Sequence, residues 1–138
     1  MSGKSVIDAK KRRGLLATQS NPGSRLDYVS ALDGHIAPAG DAKPATVGVR
    51  YVPDKRILDP ATFGRYLEAL GTLRWASLEE VAVTILDDIN NEVVTRWVQV
   101  AVSAPDGGHP GVDNHGVVLE DRQPSWDNPA LLSRLRRY

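Results

Sequence analysis

Residues 59–93 read DPATFGRYLEALGTLRWASLEEVAVTILDDINNEV, and this stretch decides the architecture. Asp59 supplies an N-cap and Pro60 takes the first helical position, where its missing N–H has no partner to lose. Phe63, Tyr66, Leu67 and Leu70 follow at the spacing of one helical face, and Gly71 stands where a left-handed C-cap would end the helix. Ser77 and Glu80 form a capping box, the hydroxyl accepting from the third helical N–H while the carboxylate reaches back. Leu78, Val81, Ala82, Ile85, Leu86, Ile89 and Val93 then make a wide apolar stripe, with Asp87, Asp88 and Asn91 on the polar face. The spacing predicts two consecutive helices. Adjacent helical residues point about 100° apart, so Asp87 and Asp88 do not face each other, and both are expected on a solvated surface.

Outward from the helix pair the period changes to two. On one side, ATVGVRYV at 45–52 alternates Val47, Val49 and Tyr51 against Thr46, Gly48, Arg50 and Val52. Upstream of it, Leu26–Leu32 reads as a short strand ended by an Asp33-Gly34 turn, and Gly34–Pro44 as a loop. On the other side, Arg96–Ser103 alternates Val98, Val100 and Val102 against Trp97, Gln99 and Ala101. Pro105-Asp106-Gly107-Gly108 is turn chemistry, and Gly116–Leu119 supplies a last short strand. The order β-β-α-α-β-β predicts an α+β fold: a four-stranded antiparallel sheet with both helices on one face. Its two open edges need cover, and copies joined edge to edge into a barrel would provide it.

The chain has 138 residues, 41% of them hydrophobic and 25% charged, which suits one domain and excludes a wholly disordered or fibrous protein. Seventeen basic residues balance seventeen acidic ones, so no global field drives it onto nucleic acid or membrane. There is neither a signal-peptide pattern nor an apolar run of spanning length, and a cytoplasmic setting is expected. The absence of cysteine excludes disulfides, thiolate nucleophiles and Cys-based metal sites. Residues 1–25, with Lys4, Lys10, Lys11, Arg12 and Arg13, read as a basic arm outside the core, and 26–120 as the folded domain. Residues 121–138 read as a basic amphipathic tail, in which Asn128-Pro129 opens a short helix and Trp126 with Leu131, Leu132 and Leu135 suits docking on a partner or another copy.

Ala45–Asp54, the Tyr66-Leu67 pair, Glu79 with Ile85, Asp87 and Asp88, and Arg96-Trp97-Val98 together resemble the QueF-like 7-cyano-7-deazaguanine reductases of queuosine synthesis. That family shares the tunnelling fold with GTP cyclohydrolase I and the pterin synthases, and the resemblance spans about residues 15 to 110. It implies homo-oligomers joined through sheet edges, with pockets between subunits where a glutamate clamps the guanidine-like edge of a purine or pterin. Glu79 occupies that glutamate's position, and a carboxylate accepting two parallel N–H donors is a specific way to hold such an edge. The bland alternative is that Glu79 only complements the helix dipole.

The departures fall on the chemistry. Where the reductases have a cysteine that attacks the nitrile carbon, this chain has Ile36, and where they have a proton-handling aspartate it has Lys43. An aliphatic side chain cannot form the covalent thioimide. The lysine motif that holds the NADPH phosphates is replaced by Asp59–Gly64, the histidine before the glutamate by Leu78, and the arginine before the paired glycines by Asp106. No bound cofactor is therefore expected. His35, His109 and His115 lack metal-ligand spacing, so no metal site is expected either. The reading is a catalytically degenerate reductase-like protein acting as an oligomeric structural or purine/pterin-binding subunit through Glu79. One alternative is an enzyme with altered chemistry on a 7-deazapurine or pterin, with His35 or Asp41 moving protons. Another is a nucleic-acid-associated module using the basic termini.

Overall fold

A computed structural model describes residues 8–37, 43–105 and 107–135. Two helices, α2 (Pro60–Leu70) and α3 (Leu78–Val93), lie between two strand pairs as their periodicity predicts. Asp59 accepts from the Ala61 N–H at 3.0 Å and Ser77 from the Glu80 N–H at 3.1 Å, while the Glu80 carboxylate returns to the Ala76 N–H at 2.8 Å. Strands β2 (Ser30–Ile36), β3 (Ala45–Pro53), β5 (Thr95–Ala104) and β6 (His115–Arg122) pair antiparallel in the spatial order β2-β3-β5-β6. The fold class is α+β, with the expected four-stranded sheet.

Register explains where the core sits. Val47, Val49 and Tyr51 lie opposite Val102, Val100 and Val98, and all six are at most 1% exposed. They meet Tyr66, Leu70, Ile85 and Ile89 of the helices in one apolar cluster. Each fully buried aliphatic side chain contributes roughly 1.5–3 kcal/mol, so this double row is a substantial part of what holds the sheet to the helices. Helix α3 packs over β5 and β6, and α2 over β2. The alternate residues, Asp33, His35, Thr46, Gly48, Ala101, Ser103, Gly116 and Val118, share the opposite face.

Several expectations are corrected. Strand β2 starts at Ser30 and runs through Asp33-Gly34, which pair with Gly48 and Val47 instead of turning. Ladder pairing overrides the local turn preference, and the glycine lets helix α2 come close, because a Cβ on Gly34 would stand 2.6 Å from Leu67 Cδ1 and push that side chain aside. Gly71 is right-handed at φ −66, not left-handed. Its smallness serves a close approach, since a Cβ there would lie 2.5 Å from the Ala37 carbonyl oxygen. The left-handed cap belongs to Val94, φ 56, at the end of α3. Strand β6 reaches Arg122, three residues beyond the expected end at Leu119 and into the segment read as tail.

The N-terminal segment is not an arm free of the core. Helix α1 (Ala9–Gly14) packs on α2 and α3, Leu16 is 6% exposed, and β1 (Thr18–Ser20) pairs with β4 (Arg56–Leu58). Asp88 is corrected with it: Asp87 is exposed as expected, but Asp88 is fully buried. Its carboxylate accepts from Arg12 Nε at 2.5 Å and Nη2 at 3.1 Å, from Arg13 Nε at 2.8 Å and from Tyr66 Oη at 2.6 Å. A buried carboxylate is tolerable when its lone pairs are filled in this way. Two of the four cations at 10–13 thereby share one carboxylate within the fold, and Lys10 and Lys11 stay exposed.

The described part of the tail is likewise tied to its own chain. The Gln123 N–H donates to the Arg96 carbonyl at 2.9 Å and its side-chain amide to Asp54 at 3.2 Å. Trp126 Nε1 and Asn128 Nδ2 both donate to Asp27, at 3.1 and 3.0 Å. Partial burial alone would push the Asp27 carboxyl up, but bonds from Asn128, Trp126 and Arg96 outweigh it and hold it below its usual range. Helix α4 (Pro129–Leu132) follows, with Asn128 as its cap. Lys4, Asp41, Asp106, Arg136 and Arg137 lie outside the described residues.

Candidate functional site

Glu79 sits in the first turn of α3 because Ser77 caps that helix one residue before it begins. Its side chain is 61% exposed, and Oε2 lies 3.3 Å from Nε2 of His115, the first residue of β6. An ionised carboxylate only accepts, so Nε2 of His115 carries the hydrogen and donates. The Glu79 carboxyl is held below the usual range, first by its own backbone N–H and then by the His115 ring. The outcome is an ionised acceptor pair facing solvent at one end of the sheet, beside the β6 edge.

His35 is exposed on β2, opposite Thr46, at the same end of the sheet but on the other edge. Three interstrand steps separate the two edges, roughly 14 Å. The structure therefore does not bring His35 to Glu79 within one chain, and Asp41 lies outside the described residues. His109 is exposed in the β5–β6 loop, and among the described residues no group of three His, Asp or Glu side chains could hold a metal ion.

The positions where the chain departs from the reductases are also placed. Ile36 is 5% exposed and belongs to the core cluster, while Lys43 is exposed. Leu78 is partly buried against that core. Asp59 spends its carboxylate on the α2 cap, so the start of α2 offers a carboxylate where the reductases offer lysines to a phosphate.

Sequence reasoning missed one feature entirely. A cleft of about 610 Å³ opens on the sheet face away from the helices. Its floor is low because Gly48, Ala101 and Gly116 are small, and Asp33, Thr46, Ser103, Asn114 and Val118 rim it. Ser103 Oγ donates to Asn114 Oδ1 at 3.4 Å. Asn114 directly precedes His115, so one loop end serves both the cleft and the Glu79 pair. The available signal was the run of small residues at alternate strand positions, which the misplaced end of β2 concealed.

No protein-family model and no curated protein matches this sequence. Among solved structures, the archaeosine synthase QueF-Like in its apo form matches with a TM-score of 0.53 and 24% identity, over 68% of this chain and 91% of that one. A dihydroneopterin aldolase from Burkholderia thailendensis bound to guanine matches more weakly, with a TM-score of 0.37 and 18% identity, over 74% of this chain and 96% of that one. The first likeness agrees with the QueF-like resemblance read from the sequence, and the fold is the tunnelling fold. Among the described residues no helix is long and apolar enough to cross a membrane.

Proposed function

We propose that this chain is a catalytically degenerate QueF-like protein that works as an oligomeric binding subunit, holding a purine- or pterin-like base through Glu79. The observation that carries the reading is the Glu79 carboxylate itself: ionised, exposed, and fixed at the β6 edge of an open sheet. Such a group offers two parallel acceptors to the N–H groups of a guanidine-like edge. With β2 and β6 the edge strands of the four-stranded sheet, a copy can pair its β6 with the β2 of the next, and head-to-tail pairing of this kind can close into a ring. That joint would set Glu79 of one copy beside the end of the next copy's β2, on the helix side of the sheet, with His35 on the other face. The reading excludes thiol-dependent nitrile reduction, since Ile36 supplies no nucleophile.

The test is a thermal-shift series with 7-cyano-7-deazaguanine, 7-deazaguanine, guanine and pterin, run beside light scattering for oligomer mass. A base at a hundredfold excess over its Kd stabilises the folded state by about 2.7 kcal/mol, which is readily seen. Stabilisation that disappears in Glu79→Ala, in a protein heavier than one chain, supports the reading. Absence of any shift with all the bases overturns it.

A further inference from the structure

We propose that His115 is a positioning residue for the base-binding carboxylate, pinning Glu79 from β6 in place of the histidine that position 78 lacks. The inference rests on the reading of Glu79 above and adds a residue to it.

The geometry carries it. A glutamate in the first helical turn has three rotatable side-chain bonds, and this one, beyond the contact with its own backbone N–H, is 61% exposed. His115 reaches it from a different element, 36 residues away, with Nε2 at 3.3 Å from Oε2. A carboxylate oxygen has two lone pairs, so Oε2 can accept from His115 on one and from a ligand N–H on the other. The histidine can therefore hold the carboxylate without occupying the acceptor pair that a base requires. An exposed pair of this kind adds little to stability, so its consequence lies in ligand affinity. Ordering a flexible side chain before binding spares the ligand that entropy.

On α3, Glu80 of the same turn is committed to the Ala76 N–H, and in the preceding loop lies Asp113. On β5 the residue opposite His115 is Ala104.

The experiment measures 7-deazaguanine binding to the full-length protein by calorimetry, for wild type, Glu79→Ala, His115→Ala and His115→Gln. Expected is loss of binding in Glu79→Ala and about threefold to tenfold weaker binding in His115→Ala. The thermal midpoint of ligand-free His115→Ala should stay within about 2 °C of wild type. His115→Gln, which keeps a neutral donor, should bind with an intermediate affinity. Carbon NMR of the Glu79 carboxyl should show its titration moving upward in His115→Ala without any ligand. If Glu79→Ala abolishes binding while His115→Ala binds as wild type, the role of His115 is overturned and that of Glu79 stands. If wild type does not bind 7-deazaguanine, or Glu79→Ala binds it unchanged, the underlying reading falls and the role of His115 with it.

Discussion

Tyr66 on α2 and Asp88 on α3 meet at 2.6 Å inside the protein, and that bond sets where the N-terminal helix docks. The tyrosine fills one lone pair of the buried carboxylate, and the guanidinium groups of Arg12 and Arg13 fill the others. Asp88 also raises the affinity of Arg12 for its proton, chiefly through the direct hydrogen bond. A single carboxylate thus joins three helices.

Replacing that carboxylate by an amide keeps its shape but leaves two guanidinium groups facing an uncharged partner. Removing one member of a buried ion pair costs about 3–5 kcal/mol, and the partial exposure of Arg13 puts Asp88→Asn at the lower end, about 3 kcal/mol. Urea unfolding should show the loss. Amide exchange at residues 9–16 should accelerate beyond the global change, because α1 loses its tether. Unchanged protection there would contradict the tether.

The alkaline limb of stability follows from the tyrosines. Burial pushes the Tyr66 hydroxyl up, and the negative charge of Asp88 pushes it further. Tyr51 is also raised, mainly by burial, and its oxygen accepts from the Leu58 N–H at 2.9 Å. In the unfolded chain both ionise near pH 10. Below that pH neither state loses a proton, and stability is flat on this account. Above it the unfolded chain releases protons that the folded protein retains, so stability falls, by up to roughly 1.4 kcal/mol per pH unit for each tyrosine. Absorbance at the tyrosinate band during a pH titration should show two tyrosines ionising only with unfolding.

Helices α2 and α3 and strands β3 and β5 were legible because their caps and apolar periods are local. Strand β2 was not, because Asp33-Gly34 prefers a turn in isolation and is held extended only by Gly48 and Val47 across the ladder. Asp88 was read as solvated because its burial depends on Arg12 and Arg13, some 75 residues earlier in the chain. The site divides the same way. Glu79 is a candidate through the resemblance alone, whereas its pairing with His115 arises from how β6 packs beside α3, and no local pattern encodes it.

Val94 closes α3 with φ 56, a conformation that L residues adopt reluctantly and β-branched ones most of all. Its side chain is 57% exposed, so little packing is lost on removing it. Val94→Gly should therefore stabilise the protein by about 1 kcal/mol, against the usual destabilising direction of a glycine substitution. Denaturant midpoints of the two proteins would decide it, and a lower midpoint for the variant would show that the valine side chain contributes packing that outweighs its backbone strain.

Restoring a cysteine at position 36 isolates the chemistry from the fold. In the reductases that the sequence resembles, this position carries the nucleophile, but here the side chain is 5% exposed and packed in the core with residues such as Leu67 and Val47. A thiol placed there is buried in the apolar core, and apolar burial raises its pKa. The lysines that would hold NADPH phosphates are absent as well, and the Asp59 carboxylate is committed to its helix cap. Ile36→Cys should fold, with a loss of about 1–2 kcal/mol for the smaller side chain. On incubation with 7-cyano-7-deazaguanine, intact-protein mass spectrometry should show no added thioimide mass, and NADPH absorbance should not fall. Formation of the adduct would mean that the core around position 36 opens far more readily than its packing implies, and that loss of one sulfur atom was the only barrier to the reaction.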